Sequence, residues 1–222
     1  MKLFITGIGT DVGKTIASAI VVEALEANYW KPIQAGDLDF SDTHKVKNLL
    51  SCHTERSRSA KSQFHSNAYA LNTPASPHLA ARLDGITIDL KKIKEPKTAP
   101  EAQPNGAELN HLVIEGAGGV LVPLNDTDCV VDLIQKDYKV IVVSRHYLGS
   151  INHTLLTIEA LQNRKITVAG IIFSGDENKA TEEIILNKTG VKCIGRIDNE
   201  PYFDANVIRY YADKFRENLL NL

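Results

Sequence analysis

A glycine-rich segment near the start of the chain is the feature that most constrains the fold. Residues 4–15 read FITGIGTDVGKT, which is an apolar strand, a glycine-rich turn and a helix that opens on Gly-Lys-Thr. In this layout the backbone N–H groups of the turn bind phosphate oxygens, the lysine neutralises their charge and the threonine hydroxyl reaches a magnesium ion. Five residues separate Gly7 from Gly13, where four is usual, so Thr10 and Asp11 have room to face the γ-phosphate. This segment, called the phosphate loop below, predicts a nucleoside triphosphate site.

Short apolar runs alternate with helical patterns along the chain, which is typical of a parallel sheet with crossover helices. We expect one α/β domain over residues 1–222, with a mostly parallel sheet and helices on both of its faces. The predicted strands are Leu3–Thr6, Trp30–Ile33, Leu112–Glu115, Val140–Ser144, Val168–Phe173 and Cys193–Ile197. The predicted helices are Gly13–Ala27, Asp42–Leu50, Ser76–Leu83, Val130–Gln135, Ile151–Asn163, Lys179–Asn187 and Val207–Leu220. Ser41 and Ser150 are predicted N-caps, and Ser51–Ser66 and Lys94–Asn110 are predicted surface loops.

Charge and cysteine usage narrow the class of protein. The net charge is −2, with 25 basic and 27 acidic residues, so we expect no surface that binds nucleic acid. Three widely spaced cysteines without a C-x-x-C pair argue against a disulfide framework and for a reducing compartment. No run of about 18 apolar residues occurs, so we expect no membrane span and a cytoplasmic protein.

Charged residues lie at the ends of the predicted strands, where an open parallel sheet binds its ligands. Lys31 lies in an apolar strand, so its ammonium either reaches solvent or meets an anion. Because a phosphate loop is predicted nearby, we expect the ammonium to face the transferred phosphoryl group. Asp42 opens a helix, where it complements the dipole or holds a metal. Glu115 follows three aliphatic residues and precedes glycines, as a magnesium-holding carboxylate does. With the hydroxyl of Thr15, the two carboxylates suit a hard octahedral cation.

Gly149 and Ser150 stand directly before an amphipathic helix, after the fourth predicted strand. Backbone N–H groups at such a helix start bind an anion, for example a carboxylate. A plain capped helix start explains the same residues equally well, so the local sequence leaves both interpretations open.

Six segments, taken together and in order, resemble the dethiobiotin synthetase family of P-loop nucleoside triphosphatases. They read GIGTDVGKT, WKPIQAG, SDTH, NTPASPHLAAR, IEGAGGVLVPL and LGSINHTLLT, and the resemblance runs from Lys2 to about Leu220. It implies a cyclo-ligase of biotin synthesis that joins 7,8-diaminononanoate and CO2, with ATP hydrolysis, into the ureido ring of dethiobiotin. In the implied route a substrate amine captures CO2 as a carbamate, the carbamate attacks the γ-phosphate, and the second amine expels phosphate from the carbamic-phosphoric anhydride.

The resemblance also implies a role for each matching residue. The implied catalytic residues are Lys31, Lys14 and Thr10, and the implied magnesium ligands are Thr15, Asp42 and Glu115. The implied nucleotide-binding residues are Asp11, Val12, Gly13, Lys14, Thr15, Ile16, Asp42, Glu115, Gly116, Ala117, Gly118, Ser174, Gly175 and Glu200. The implied substrate-binding residues are Thr10, Lys31, Ala35, Leu148, Gly149, Ser150 and Asn152. The last four would act from the partner subunit of a homodimer, by meeting the substrate carboxylate at the subunit interface.

Three positions depart from the family pattern. Ala35 stands where the family often has serine, so a hydroxyl contact to the substrate is absent or replaced by Gln34. Asp11 stands where several members have glutamate, and Ser174-Gly175-Asp176 stands where an asparagine is common. The last difference leaves the nucleotide preference open.

The main alternative is a regulatory ATPase switch of the partition or septum-placement kind. Such proteins typically carry a second lysine early in the phosphate loop, where this chain has Gly9. Their C-terminal helix is often basic and amphipathic; here Val207, Tyr211, Phe215 and Leu219 form a stripe that core packing explains better. A corrinoid amide ligase would need a glutaminase domain, for which no residues remain, and the retained charged set argues against a binding-only relative.

Overall fold

Aliphatic strands alternate with helices in the computed structural model, which describes residues 1–51, 62–97 and 111–222. The strands are β1 (Lys2–Gly7), β2 (Asn28–Trp30), β3 (Ile33–Ala35), β4 (Phe64–His65), β5 (Tyr69–Leu71), β6 (Leu112–Gly119), β7 (Tyr138–Arg145), β8 (Val168–Ser174) and β9 (Cys193–Ile197). The α-helices are α1 (Lys14–Leu25), α2 (Asp42–Leu50), α3 (Pro77–Leu83), α4 (Ser150–Gln162), α5 (Lys179–Thr189) and α6 (Ala205–Leu220). Short 3₁₀ turns lie at Leu38–Phe40, Leu90–Lys92 and Val130–Leu133.

The main sheet places the phosphate loop at its topological switch point. Seven parallel strands run in the order β4-β2-β6-β1-β7-β8-β9, so β1 is central. From β1 the chain first builds one side of the sheet, returns to β6, and then builds the other side from β7 onward. Ligands of open parallel sheets bind where such crossovers diverge, beyond the carboxyl ends of the strands. The phosphate loop leaves β1 at this point.

Two hydrophobic layers sandwich the sheet. Helices α1, α2 and α6 cover one face, and α3, α4 and α5 cover the other. In β1 the side chains alternate between the layers: Leu3 and Ile5 pack on the first, and Phe4 packs on the second. All three are at most 1% exposed. The predicted α/β fold with helices on both faces is confirmed.

The predicted strand Trp30–Ile33 is wrong, because the chain leaves the main sheet inside it. Strand β2 ends at Trp30, and β3 begins at Ile33 in a separate two-stranded sheet with β5. Pro32 lies in the break, where it has no N–H to give to a ladder. Its carbonyl instead accepts from Ala68 N at 2.8 Å and Tyr69 N at 3.0 Å. Strands β4 and β5 were missed because two or three residues carry no periodic signal.

The remaining differences concern caps and loops. Ser41 caps α2 as predicted, but Ser150 is the first residue of α4 and Gly149, with φ of 103°, is its N-cap. The helix predicted at Val130–Gln135 is only a 3₁₀ turn. The predicted loop Ser51–Ser66 contains β4. Residues 52–61 of that loop, and 98–110 of the loop predicted at Lys94–Asn110, lie outside the described residues.

The C-terminal stripe is part of the core, as predicted. Tyr211, Phe215 and Leu219 are fully buried and belong to the same layer as α1. Within the described parts of the chain, no helix combines the length and apolar character that crossing a membrane requires.

Helix α6 is expected to depend on a small residue in β9. A Cβ added at Gly195 would lie 2.1 Å from Cε1 of Phe215. We expect Gly195→Ala to lower the free energy of unfolding by about 1–3 kcal/mol, because overpacking displaces the ring. Urea denaturation measures the effect. In the double variant with Phe215→Leu the loss should be smaller than the sum of the single losses, and strict additivity would contradict direct contact.

Candidate active site

A cleft of about 1340 Å³ opens at the carboxyl ends of the main-sheet strands. The phosphate loop forms its floor, and segments after β2, β6, β8 and β9 form its walls. Fourteen of the sequence-predicted site residues line it: Thr10, Asp11, Gly13, Lys14, Thr15, Ile16, Lys31, Ala35, Asp42, Glu115, Ala117, Gly118, Ser174 and Glu200. The fold therefore brings together residues that are more than 180 positions apart in the chain.

The phosphate loop has the backbone conformation that an anion site requires. Asp11 and Gly13 adopt left-handed φ values of 55° and 95°, and Gly13 is the N-cap of α1. Thr10 and Asp11 are exposed to the cleft, as the longer loop predicts, whereas the side chain of Val12 packs in the core. The free N–H groups at the start of α1 thus face the cleft together with the positive end of the helix dipole.

Lys14 curls back over the loop. Its ammonium donates to the carbonyl of Gly9 at 2.7 Å, and the residue is only 8% exposed. Burial lowers the pKa of Lys14, and the positive charge of Lys31 lowers it further. The negative charge of Glu115 raises the pKa, but it does not offset the other two effects. A phosphate group near this ammonium would supply the negative charge that it lacks.

Lys31 joins two carboxylates from different parts of the chain. Its ammonium forms ion pairs with Asp42 Oδ2 and, at 3.2 Å, with Glu115 Oε1. Burial opposes the charge, but Glu115 and Asp42 outweigh it and raise the pKa of Lys31. Conversely, Lys31 holds the pKa of Asp42 below its ordinary value although burial opposes this. The hydroxyl of Thr15 donates to Glu115 Oε1 at 3.0 Å, so Glu115 links the third predicted metal ligand to the two carboxylates that pair with Lys31.

Tyr29 was not identified from the sequence. It is fully buried, and its hydroxyl donates to Glu115 Oε2 at 2.9 Å. Burial, followed by the negative charge of Glu115, raises its pKa well above the ordinary value. One signal was available: Tyr29 stands next to the predicted strand, and the hydroxyl of a buried tyrosine needs a hydrogen-bond partner.

Gln34, in β3, forms hydrogen bonds that hold the start of α2 beside the cleft. Its side-chain oxygen accepts from the backbone N–H of Asp42 at 3.3 Å, and its amide donates to Gly36 O at 3.0 Å. Gln34 is 4% exposed, and both it and Ala35 lie on the wall of the cleft. A Gln34 contact to the substrate therefore stays a prediction.

The far end of the cleft lies between the ends of β8 and β9. Ser174 lies directly against the phosphate loop: a Cβ added at Gly13 would be 3.1 Å from its Oγ. Glu200 accepts from the hydroxyl of Tyr211 at 2.6 Å.

Sequence reasoning missed the other residues at this end of the cleft because they belong to no motif: Arg145, Ile197, Asp198, Asn199, Phe203, Asp204, Ala205 and Asn206. Arg145 donates to the backbone oxygen of Asp11 at 2.9 Å, which ties β7 to the phosphate loop.

Three predicted nucleotide contacts, Val12, Gly116 and Gly175, and the predicted carboxylate site lie off the cleft. Gly116 packs against Phe4, and Gly175 faces His146. Leu148, Gly149, Ser150 and Asn152 lie at the start of α4 and do not line the cleft of the single chain. The side chain of Leu148 is fully exposed. Their assigned contacts stay predictions.

Comparison with known proteins identifies the family. The chain is 57% identical over 219 residues to the ATP-dependent dethiobiotin synthetase BioD of Christiangramia forsetii, covering 99% of this chain and 98% of the relative. It is 50% identical over 218 residues to the protein of the same name in Cytophaga hutchinsonii, covering 98% of each. The chain belongs to the dethiobiotin synthetase family. A family profile described as an AAA domain also matches residues 1–207.

Solved structures with the same fold include regulatory ATPases. The ParA family ATPase of Chlorobium tepidum matches with a TM-score of 0.54 at 12% identity, covering 99% of this chain and 96% of that one. The septum site-determining protein MinD of Pyrococcus horikoshii, complexed with Mg-ADP, matches with a TM-score of 0.55 at 12% identity, covering 99% and 93%. At such identity the likeness shows the fold alone. The dethiobiotin synthetase relatives therefore decide the family, and the regulatory-switch alternative is not favoured.

The buried ion pairs give a prediction for stability. We expect Lys31→Met to lower the free energy of unfolding of the nucleotide-free enzyme by about 3 kcal/mol at neutral pH, because removing one partner leaves buried carboxylates uncompensated. Lys45→Met is the matched control: this lysine pairs with Asp42 at 3.2 Å but is about one third exposed, so its loss should cost less than about 1 kcal/mol. Urea denaturation measures both variants.

The loss in Lys31→Met should also depend on pH. The folded pKa of Asp42 lies below its ordinary value of 3.8, so the stabilisation by Lys31 is complete above about pH 3.8 and disappears as the pH falls through the lower folded value. The difference between wild type and Lys31→Met should therefore narrow below that pH. A constant difference down to pH 2 would contradict the ion pair.

Proposed function

We propose that the protein closes the ureido ring of dethiobiotin from 7,8-diaminononanoate and CO2 at the expense of ATP. Its membership of the dethiobiotin synthetase family supports the reaction. The observation that carries the assignment to this cleft is the ammonium of Lys31, which lies between two carboxylates beside the phosphate loop. A buried cation at this place is what a carbamate attacking a γ-phosphate requires, since negative charge gathers there.

The oxygen atoms around Lys31 fit a magnesium ion. Asp42, Glu115 and Thr15 offer two carboxylates and a hydroxyl, which are the hard ligands that Mg²⁺ prefers. The ammonium of Lys31 pairs with the two carboxylates of this set, which shows that their oxygens converge on a cation. In the described part of the chain no group of three or more His, Cys, Asp or Glu residues forms a complete cage. A site of this kind completes its shell with nucleotide phosphates and water, and the bound ion would neutralise charge on the β- and γ-phosphates.

The reaction needs positioning and charge neutralisation more than a covalent nucleophile. We assign Lys14 to the β- and γ-phosphates and Lys31 to the carbamate and the γ-phosphate. Thr10 and the backbone N–H groups at the start of α1 would line the part of the cleft in which the γ-phosphate reacts. Ser174 and Glu200, at the far end of the cleft, would lie along the nucleoside.

A second copy of the chain would complete the substrate site. The start of α4 carries free N–H groups behind Gly149, and the exposed side chains of Leu148 and Ile151 flank it. We place the substrate carboxylate at this helix start in a homodimer, because N–H groups at a helix start attract anions. We also place the enzyme in the cytoplasm, where the reducing conditions suit free cysteines such as Cys129 and Cys193.

The defining experiment measures phosphate release from ATP by the purified protein. We expect release only when both diaminononanoate and bicarbonate are present, because the attacking nucleophile is the substrate carbamate. Dethiobiotin should form in equal amount, as measured by mass spectrometry. Equal ATP cleavage without the diamine would overturn the proposal and favour a regulatory ATPase.

Lys31→Met serves as the variant that separates binding from chemistry. We expect it to bind ATP with an affinity close to that of wild type and to turn over at least about 100-fold more slowly, as the loss of one transition-state charge contact does. Poor ATP binding with normal turnover at saturation would contradict the role of Lys31.

The interface has its own test. We expect Leu148→Asp to weaken dimer formation, as measured by light scattering, and to raise the Michaelis constant for diaminononanoate, because a charge would be buried beside the substrate carboxylate. Leu220→Asp, at an exposed leucine of α6, is the control and should change neither quantity. A Leu148→Asp protein with an unchanged mass and Michaelis constant would contradict the interface.

A further inference from the structure

The two oxygens of the Glu115 carboxylate have different partners. Oε1 accepts from Thr15 at 3.0 Å and from Lys31 at 3.2 Å. Oε2 accepts from the hydroxyl of Tyr29 at 2.9 Å. Glu115 is 1% exposed and Tyr29 is fully buried, so solvent does not compete for the second oxygen. One oxygen of Glu115 therefore faces the cation position, and the other is bound in the core.

The phenol of Tyr29 is held rigidly in this place. Tyr29 is in β2, and it pairs with Val113 of β6, two residues before Glu115. Its backbone N–H donates to Gln63 O at 2.9 Å, and its ring lies 6.2 Å from that of Phe64 between centroids. Two neighbouring parallel strands thus fix the hydroxyl and the carboxylate relative to each other. Neither partner is able to turn away without disturbing the first hydrophobic layer.

We propose that Tyr29 is a positioning residue that holds Glu115 as a one-oxygen ligand and thereby favours Mg²⁺ over Ca²⁺. The proposal rests on the proposed function in one respect, which is the role of Glu115 as a metal ligand. Mg²⁺ needs near-ideal octahedral geometry with one oxygen per ligand at about 2.1 Å, whereas Ca²⁺ accepts six to eight oxygens and often a bidentate carboxylate. A hydrogen bond that occupies Oε2 opposes the bidentate mode, so it penalises the larger ion.

The variant Tyr29→Phe isolates the hydroxyl. Phenylalanine keeps the ring and its packing, and it leaves Glu115 Oε2 without its donor. The carboxylate is then free to rotate and to offer both oxygens to a metal. Outer-shell partners of this kind typically contribute about 10–100-fold to metal affinity.

The experiment titrates Mg²⁺ and Ca²⁺ separately into the protein saturated with ADP, by calorimetry, with correction for the metal–ADP complex in buffer. For Tyr29→Phe we expect Mg²⁺ to bind about tenfold more weakly and Ca²⁺ to bind as in wild type or more tightly. The ratio of the two dissociation constants should therefore shift toward Ca²⁺ by about tenfold or more. Thermal unfolding of each variant verifies that it is folded.

Tyr138→Phe is the matched control. The hydroxyl of Tyr138 donates to Glu95 Oε2 at 2.8 Å, so a hydrogen bond of the same Tyr–Glu kind is removed, but at the amino end of β7, away from the cleft at the carboxyl ends of the strands. This variant should keep the wild-type ratio of metal affinities. Replacing Tyr29 by para-aminophenylalanine restores a donor at the same place and should restore the ratio.

The outcomes separate the two proposals. If Tyr29→Phe weakens both metals equally, or leaves both unchanged, Tyr29 does not select the ion and the inference is overturned. If Tyr29→Phe does not fold, the para-aminophenylalanine variant decides. A folded para-aminophenylalanine protein whose ratio of Mg²⁺ and Ca²⁺ dissociation constants differs from that of wild type would also overturn the inference. If Glu115→Gln binds both metals as wild type does, the metal role of Glu115 in the proposed function fails instead.

Discussion

The ammonium of Lys31 between Asp42 and Glu115 is the interaction on which the rest of the site depends. A lysine that is 6% exposed must have anionic partners, because burial alone would discharge it. Those partners come from the start of α2 and from the middle of β6, so one ion-pair cluster fixes three elements around the phosphate loop. Removing the cation would leave two acidic groups facing each other, and this is why the cluster couples the stability of the protein to its chemistry.

The interruption of strand pairing between β2 and β3 makes this ion-pair cluster possible. A strand that continued through Lys31 would direct its side chain into one of the two hydrophobic layers, because strand side chains alternate between the faces of the sheet. Instead, Pro32 ends the pairing with β6, and the chain crosses the carboxyl end of the sheet to form β3. Gln34, which follows directly, donates to Gly36 and accepts from Asp42. The irregular segment thus positions both members of the ion pair.

The fold itself is compatible with more than one function. Structures of a ParA family ATPase and of MinD share it at 12% identity, and such a likeness does not distinguish a regulatory switch from a ligase. What distinguishes this chain is the set of residues placed on the fold. Lys31 lies beside the phosphate loop in the segment after β2, and Asp42 and Glu115 present oxygens to its ammonium. The specificity of the enzyme therefore lies in side chains at strand ends, not in the architecture that carries them.

The sequence by itself determined the elements with a strong local signal. Helix α2 at Asp42–Leu50 and strand β9 at Cys193–Ile197 were predicted with the observed bounds, because a periodic pattern marks them. The phosphate loop was predicted at its observed place between β1 and α1, because its motif consists of neighbouring residues. Lys31, Asp42 and Glu115 were predicted from their places in an apolar strand, at a helix start and after three aliphatic residues. Only the tertiary structure decided which of them touch, and that Tyr29 and Gln34 support them. Tyr29 and Glu115 are 86 residues apart, and no local pattern encodes a contact at that distance; it exists because β2 and β6 pair in one register and bury both side chains together.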